Sequence, residues 1–396
     1  MADLLSKLRM LDAAPRRPAP AARGAQEGCY RSQATFPLPI FTDLRHLTPA
    51  VMESAFGFAF PSDLRPEDIL FLDTETTGLA GGAGTVAFLV GMGYFTGRDF
   101  AVEQVLMRDY GQESELLRTV SSVAGRFSVL CTFNGRTFDA PLLASRFVMN
   151  RLPSRLPSVH ADVLYPARRL WKLRLKRCNL ANLEEQLLHV KREDDLPGAE
   201  VPQTYFRYLR DGDFAPIERI LAHNRQDIVS LAQLLCFLCG QVDCPETVES
   251  GQDLLSLARS LEKRGDTAKA VKCYRLCARG DTRAEAYHAL ARERRRAGDV
   301  TAAIRLYETM LRRGDDPVSA CEALAKLYEH RLHNPAQALT YTRQALLLLS
   351  EPGLFRSEAV QARQVALQYR YARLRRKLCA PCATSTKKEE PSSWES

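Results

Sequence analysis

Residues 68–78 of the chain read DILFLDTETTG, a short apolar run that ends in two carboxylates one residue apart. This pattern predicts a buried strand that carries Asp73 and Glu75 at its C-terminal end. Alternate side chains of a strand share a face, so both acids point into the same space. Two like charges so close repel unless a cation lies between them or one is protonated. A divalent metal ion is the simplest counter-charge, although a strand that merely ends in a polar turn gives the same local pattern.

The segments that follow predict further strands and helices, and the first three strands are expected to be antiparallel. Residues 85–95 and 100–110 have the character of two further strands, and residues 96–99 form a good hairpin turn between them. The glycine-rich segment 78–84 is predicted to be a turn, because it lacks the Lys-Ser/Thr ending of a phosphate-binding loop. A helix is expected at 113–123. Two more short strands are expected at 127–133 and 159–164.

Two later segments add acidic residues to this predicted sheet. Asp139 lies in the first turn of a helix that follows the strand at 127–133, where helix capping alone also favours a carboxylate. On a helix over 217–231, His223 and Asp227 are four residues apart and share a face. An ordinary surface contact is the alternative for this pair. Asp162, in the last predicted strand, is expected to have a structural role there.

Three short motifs, Asp73-x-Glu75, Asn134-x3-Phe138-Asp139 and His223-x3-Asp227, together resemble those of the DEDD 3′–5′ exonuclease superfamily, and in particular its YprB-like branch. The resemblance covers residues 67 to 240. It implies an α/β fold with a ribonuclease H-like mixed sheet flanked by helices. In the histidine branch of the superfamily the histidine usually precedes the last Asp by five residues, and in the tyrosine branch the tyrosine precedes it by four. His223 has the tyrosine spacing.

The resemblance also implies a nuclease site with two Mg²⁺ or Mn²⁺ ions, in which His223 orients or deprotonates the attacking water. Oxygen-rich ligand sets are the ones that these hard cations prefer. The implied metal ligands are Asp73, Glu75, Asp139 and Asp227, which with His223 make up the catalytic set. The implied contacts to nucleic acid from the motifs themselves are Thr76, Asn134 and Phe138.

A basic run, RRLWKLRLKR at residues 168–177, follows the last predicted strand and contains six basic residues and no acidic one. Such a run is either a solvated helix face or a surface for phosphates. Arg168, Arg169 and Lys172 are the nucleic-acid contacts that we predict from it. The net charge of +8 is compatible with an acidic polymer as partner.

The composition and spacing divide the chain into four parts. Residues 1–66 are expected to be a partly flexible N-terminal arm, 67–245 the nuclease domain, 250–350 an all-α tetratricopeptide-like repeat domain, and 351–396 a C-terminal helix with a disordered tail. The pattern Gly265-Asp266-x3-Ala270-x3-Tyr274 recurs after 33 residues, beginning at Gly298. Repeats of this kind predict a surface for a protein partner, whereas an irregular helical bundle would imply none.

The chain shows neither a signal-peptide pattern nor an apolar run long enough to cross a bilayer, so a cytoplasmic protein without a membrane partner is expected. The cysteines are expected to be reduced thiols. Two groups have the ligand count of a metal or iron–sulfur site, although the first begins in an apolar helix, where cysteine is ordinarily a core residue, and the second lies near a polar tail. These groups are Cys236, Cys239 and Cys244, and Cys379 with Cys382.

The function predicted from the sequence is a metal-dependent 3′–5′ exonuclease that hydrolyses single-stranded DNA or RNA. Two alternatives remain open at this point. One is a catalytically inactive nucleic-acid-binding or scaffold protein on the same fold, which the four intact carboxylates disfavour. The other is a ribonuclease H-type endonuclease, which would keep the metal ions and change the substrate.

Overall fold

The computed structural model describes residues 28–41, 43–78, 84–192, 196–350 and 358–379. Several predictions therefore fall outside the described residues. They concern the first 27 residues of the arm, residues 79–83 of the glycine-rich turn, Cys382 and the C-terminal tail. The chain divides into two compact units, Met1–Cys273 and Tyr274–Ser396. The division into four parts expected from the sequence stays a prediction.

Six strands form the sheet of the first unit: β1 Tyr30–Pro37, β2 Ile69–Thr76, β3 Ala87–Phe95, β4 Asp99–Leu106, β5 Val129–Thr132 and β6 Val159–Asp162. Their order is β1-β4-β3-β2-β5-β6. The first four pair as antiparallel neighbours, and β2, β5 and β6 run parallel. The first half of β2 is fully buried between two neighbours, and its polar half begins at Asp73. The predicted mixed sheet is confirmed.

The edge strand β1 was not expected, since the sequence analysis placed these residues in the N-terminal arm. It pairs with β4 along its whole length, from Tyr30 opposite Leu106 to Pro37 opposite Asp99. Its side chains alternate between half-buried and exposed, and most of them are polar. An edge strand of this kind lacks the strong apolar alternation by which strands are recognised in a sequence, and a terminal proline is tolerated there.

Helices cover the sheet of the first unit. They are α1 Pro49–Phe56, α2 Glu113–Ala124, α3 Asp139–Met149, α4 Leu164–Leu175, α5 Leu180–Leu183, α6 Val201–Asp211, α7 Ala215–Asp243 and α8 Gly251–Lys263, and α9 Thr267–Leu276 crosses the division between the units. The long helix α7 packs against β2, β3 and β4. A Cβ atom at Gly93 of β3 would lie 2.4 Å from Ile228 of α7, so the missing side chain allows the close approach.

Helix α8, which the sequence analysis placed in the repeats, packs against α4 inside the first unit. The Arg174 guanidinium of α4 makes two hydrogen bonds to the buried Asp253 carboxylate of α8, at 3.0 and 2.9 Å. A buried carboxylate is costly unless it is paired in this way. The contact therefore fixes α8 to the sheet-bearing unit.

The second unit is helical as far as it is described. Its helices are α10 Arg283–Arg296, α11 Val300–Arg313, α12 Pro317–His330, α13 Pro335–Ser350 and α14 Glu358–Cys379. A helical region after the mixed sheet was predicted and is confirmed. Gly298 has a positive φ before α11, and Ala303 and Tyr307 of the repeat pattern are buried. Assignment of the helices to the tetratricopeptide type stays a prediction. Among the described helices of the chain, none is both long and apolar enough to span a membrane.

Candidate active site

The carboxyl ends of β2 and β5 bring the predicted acidic residues to one edge of the sheet. Asp73 and Glu75 lie in the polar half of β2, and Asp139 opens α3 a few residues after the neighbouring strand β5. The Thr74 hydroxyl donates a hydrogen bond to Oδ1 of Asp139, which ties the two segments together. Because parallel strands end at the same edge, segments that are far apart in sequence meet here.

Helix α7 adds the third segment. Ligand atoms of Glu75, His223 and Asp227 all lie within 4.8 Å of one another. Nε2 of His223 is 3.9 Å from Oε1 of Glu75 and 3.6 Å from Oδ2 of Asp227. The helical spacing of four residues places the His223 and Asp227 side chains on the face of α7 that meets the sheet. All the residues predicted as catalytic are thus brought together.

Burial raises the pKa values of three carboxyl groups in the cluster. Burial, followed by the charges of Asp227, Asp139 and Glu75, raises the pKa of Asp73 well above its usual value. Burial also raises the pKa of Asp139 to about 6, against the lowering effect of its hydrogen bond from Thr74. Burial likewise raises the pKa of Asp227, although Arg192 and His223 oppose the shift.

Arg192 is a residue of this site that the sequence analysis missed. Its guanidinium makes two hydrogen bonds of 2.7 Å to the buried Glu184 and contacts Oδ1 of Asp227. Burial alone would lower the pKa of Arg192, but the two carboxylates outweigh it and raise the pKa. Glu184 lies in a π-helical turn, Glu184–Leu188, and Arg192 in the segment after it. No periodic pattern in the sequence connects either residue with Asp227.

Arg192 also fixes how His223 can hydrogen-bond. Its Nη1 atom is 3.2 Å from Nδ1 of His223. A guanidinium only donates, so Nδ1 of His223 accepts, and a neutral imidazole then carries its proton on Nε2. The Nε2–H group consequently points towards Glu75 and Asp227.

A second missed residue, Asn224, is fully buried next to His223 on α7. Its side-chain Nδ2 donates a hydrogen bond of 2.9 Å to Oδ2 of Asp73. The signal in the sequence is a polar residue one position after His223, on a helix in which the positions three and four residues before it, Leu221 and Ile220, are apolar. The sequence could not predict that Asn224 hydrogen-bonds to Asp73, because Asp73 lies 151 residues away.

The loop after β5 holds Asn134 and Phe138 beside the carboxylates. Backbone N–H groups of Asn134 and Arg136 donate to the buried Asp162 carboxylate at 2.8 and 3.0 Å. Asp162 therefore braces this loop. Asn134 has φ 65°, and the Phe138 ring, directly before Asp139, is 56% exposed. Thr76 donates to the carbonyl oxygen of Gly78 at 2.9 Å, at the end of β2.

A basic cavity of about 1020 Å³ adjoins Asn134 and Phe133. Arg168 and Lys172 of α4 line it, as expected of nucleic-acid contacts. Lys176, Arg177 and Asn182, which were not predicted, line it too. The cavity thus joins the predicted basic run to the Asn134 loop.

Arg169 is not brought together with these residues. Its guanidinium donates to the carbonyl oxygens of Ala55 and Phe56, at 2.8 and 3.4 Å, at the C-terminal end of α1. Burial, together with the charge of Arg264, lowers the pKa of Arg169 to about 10. Orphan carbonyls at a helix end are satisfied by such donors. Sequence position alone could not separate Arg168 from Arg169.

The first predicted cysteine group has two buried members and a third, Cys244, with different neighbours. Cys236 and Cys239 are buried in the core of the first unit, and Sγ of Cys239 is 3.5 Å from Sδ of Met52. Cys244 instead lies beside His46 and Asp243, whose side chains hydrogen-bond at 2.8 Å. Cys379 is exposed.

The donor set at the end of β2 fits hard divalent cations. Four carboxylates supply oxygen ligands and one imidazole a nitrogen, and the raised pKa values of Asp73, Asp139 and Asp227 show that added positive charge would stabilise the ionised forms. This is the ligand chemistry of Mg²⁺ or Mn²⁺, whereas zinc sites are usually richer in nitrogen and sulfur.

Comparisons with known proteins agree with this fold. Residues 70–239 match a family profile described as the RNase_H superfamily. The chain is 29% identical over 317 residues to the protein YprB of Bacillus subtilis (strain 168), itself described as uncharacterised, in an alignment that covers 78% of this chain and 75% of that protein.

A solved structure is also similar, the family B DNA polymerase of the hyperthermophilic archaeon Pyrobaculum calidifontis. The TM-score is 0.37 at 15% identity, and the match covers 52% of this chain and 30% of the polymerase. The chain thus spans under a third of that enzyme, and a likeness of this size carries no functional argument.

The sheet order, the carboxylate cluster at its edge and the profile match define a ribonuclease H-like domain, which is a nuclease fold. This chain carries such a domain over residues 70–239 and is similar to YprB over 317 residues.

Proposed function

We propose that this protein is a metal-dependent 3′–5′ exonuclease that hydrolyses phosphodiester bonds of single-stranded DNA or RNA. The observation that carries the proposal is the convergence of four carboxylates from β2, α3 and α7 on one edge of a nuclease fold, where burial raises the pKa values of Asp73, Asp139 and Asp227. A purely structural cluster would be expected to contain its own counter-charges.

Two Mg²⁺ or Mn²⁺ ions would be held by Asp73, Glu75, Asp139 and Asp227. When bound, such ions activate a water molecule and stabilise the leaving oxygen of a phosphodiester. Arg192 contributes a fixed positive charge next to Asp227 and is itself held in place by Glu184.

His223 would orient the attacking water through its Nε2–H group, since Arg192 occupies Nδ1. In this arrangement the imidazole is a neutral hydrogen-bond donor. A tyrosine hydroxyl is also a donor, so the role agrees with the spacing of four residues that His223 shares with the tyrosine branch.

The substrate path proposed here runs from the cluster along the loop after β5 to the basic cavity. The exposed Phe138 ring offers a face on which an unpaired base can stack. Arg168 and Lys172, with Lys176 and Arg177, would contact phosphates in the cavity. Stacking on a side chain requires an accessible base, which favours single strands over duplexes.

The helical second unit is proposed to recruit a protein partner. Stacked helix pairs commonly present an extended surface for this purpose. The support is the sequence period and the burial of Ala303 and Tyr307, two of its repeat positions.

The proposal is tested with single-stranded DNA and RNA labelled at the 5′ end, incubated in Mg²⁺ or Mn²⁺ with wild type and Asp73→Asn. A 3′–5′ exonuclease shortens the labelled strand in a continuous ladder, and the variant does not. Internal cuts at a few positions would indicate an endonuclease. Strand binding without any product, in both proteins, would favour the inactive scaffold.

A further inference from the structure

A row of paired residues crosses four strands of the sheet and ends at the first predicted metal ligand. Ser32 of β1 pairs with Gln104 of β4, Gln104 pairs with Gly91 of β3, and Gly91 pairs with Asp73 of β2. Directly paired residues of neighbouring strands point to the same face. The row therefore brings the side chains of Ser32, Gln104 and Asp73 to one face of the sheet.

The gap in this row at Gly91 is filled by Asn224 of α7. A Cβ atom at Gly91 would lie 2.2 Å from Oδ1 of Asn224, closer than real contacts allow. Asn224 and Gln104 are both buried, at 0% and 1% exposed. Because Gly91 has no side chain, Asn224 of α7 can lie against β3 at this point. Its amide there lies between Gln104 of β4 and Asp73 of β2.

The hydrogen bonds of Gln104 fix the direction of the Asn224 amide. Nε2 of Gln104 lies 2.8 Å from the carbonyl oxygen of Leu221 and 2.8 Å from Oδ1 of Asn224. A backbone carbonyl only accepts, so this end of Gln104 must be its NH2 group. The same group then requires an acceptor from Asn224. The Asn224 amide must therefore turn its oxygen to Gln104 and its nitrogen to Asp73.

The amide oxygen of Gln104 is also hydrogen-bonded, and this bond requires the same orientation of the amide. Its Oε1 atom accepts a hydrogen bond of 3.3 Å from the Ser32 hydroxyl on the edge strand. The chain of donors thus runs from Ser32 through Gln104 and Asn224 to Oδ2 of Asp73, at 2.9 Å. A reversed amide at either position would place two acceptors or two donors together.

We infer that Asn224 is a positioning residue that clamps Oδ2 of Asp73, sets its carboxylate plane and leaves Oδ1 for a divalent cation. The inference rests on the proposed function. Asn224 also lies three residues before Asp227 on α7. Its side chain therefore links Asp73 of β2 to the helix that carries Asp227. Gly91 leaves the space that the Asn224 side chain occupies, and Gln104 donates a hydrogen bond to its Oδ1 atom.

The test compares Mn²⁺ binding by the full-length wild type, Asn224→Ala and Gly91→Ala. Free Mn²⁺ is measured by electron paramagnetic resonance, and thermal unfolding in EDTA reports on folding. Residues that orient metal ligands typically account for 10- to 100-fold in metal affinity or activity. Each variant is expected to weaken Mn²⁺ binding by about 10-fold or more. Gln226→Ala is the matched control, because Gln226 is an amide on the same helix that bonds only locally, to Ser230 at 2.8 Å.

A double variant separates the clamp from general damage. The added methyl of Gly91→Ala collides with Oδ1 of Asn224, an atom that Asn224→Ala removes. Gly91→Ala should therefore cost nothing further in Mn²⁺ affinity when it is placed in Asn224→Ala. Additive losses would overturn the inference. If Asn224→Ala fails to fold, the Mn²⁺ affinity of Gly91→Ala alone decides whether the inference holds. This variant displaces the Asn224 amide but removes no polar group from the chain.

The result also distinguishes the inference from the function on which it rests. Wild type that binds Mn²⁺ and cleaves single strands, with Asn224→Ala and Gly91→Ala matching Gln226→Ala in both, overturns the positioning role alone. Wild type that neither binds Mn²⁺ nor cleaves overturns both proposals.

Discussion

Two groups of buried carboxylates in this protein have opposite electrostatic surroundings. In the second unit, the buried Glu329 of α12 meets Arg370 at 2.5 Å, Arg373 at 2.6 Å and Lys377 at 3.5 Å. At the end of β2, four carboxylates converge. Burial raises the pKa values of three of them, and the charges of the other carboxylates add to the rise at Asp73. A carboxylate that is supplied with cations by its own chain is complete as a structural element. A cluster that repels itself is suited to ions that come from solution.

The largest effect that separates the two groups is expected from Asp73→Asn. The nuclease rate should fall by about 10³-fold or more, because one anionic metal ligand is replaced by a neutral amide and the metal ions are held less tightly. The unfolding temperature in EDTA should stay unchanged or rise, because one repelling charge is removed. Rate assays and thermal melts on the same preparation check this. Full activity of Asp73→Asn would rule out the two-metal proposal.

His223 tests the donor role inside the cluster. His223→Phe should lower the rate by on the order of 10²–10⁴, since its ring cannot hydrogen-bond the water. His223→Tyr should keep appreciable activity because its hydroxyl is a donor. Both are measured at saturating Mn²⁺. Equal rates for wild type and His223→Phe would mean that the side chain does not touch the reacting water.

The pH dependence of metal-free stability sharpens the comparison. Asp139 has a folded-state pKa of about 6, above the ordinary value of 3.8, so its protonated form is favoured on folding. Its stabilising contribution is fully present below pH 3.8 and is lost as the pH rises through about 6. The free energy of unfolding in EDTA should therefore fall by roughly 3 kcal/mol from this group over that interval. Chemical denaturation at several pH values measures this decline, and Mn²⁺, which favours the ionised carboxylate, should reduce it.

Glu329→Gln provides the contrasting case. It should lower the free energy of unfolding of the second unit by about 2 kcal/mol, because hydrogen bonds to charged groups are lost. Its nuclease rate on short strands should equal that of wild type, since the catalytic carboxylates lie in the first unit. Circular dichroism melts and the strand assay test the two halves of the prediction. A loss of rate with unchanged stability would reverse the roles assigned to the two groups.

The smallest expected effects concern the basic residues of α4. Arg168→Ala and Lys172→Ala should each weaken binding of a single strand by about 1 kcal/mol and reduce its salt dependence. Arg169→Ala is the matched control, because this arginine caps α1 instead of lining the cavity. It should lower stability and leave the salt dependence as in wild type. Fluorescence anisotropy at several salt concentrations distinguishes the three variants.

The sequence by itself determined the elements whose signals are local. An apolar run that breaks at Asp73 predicted the buried strand, and a spacing of four residues placed His223 and Asp227 on one helix face. These follow from the periods of strands and helices, which depend only on neighbouring residues. The separate strands and helices were predicted in this way, whereas the mixed sheet was implied by the family resemblance. The structure confirms the mixed sheet, the flanking helices and the helical region after them.

Only the tertiary structure decided which polar residues meet those carboxylates. Ser32, Gln104 and Asn224 come from β1, β4 and α7, and Arg192 reaches Asp227 from a segment 35 residues away. None of them follows a period, because a hydrogen bond across a sheet depends on strand order and register, which are non-local. The different contacts of Arg168 and Arg169 likewise depend on tertiary packing and could not be predicted from the sequence. Adjacent residues on a helix point about 100° apart, and only the packing of α4 shows which of the two faces α1 and which faces the cavity.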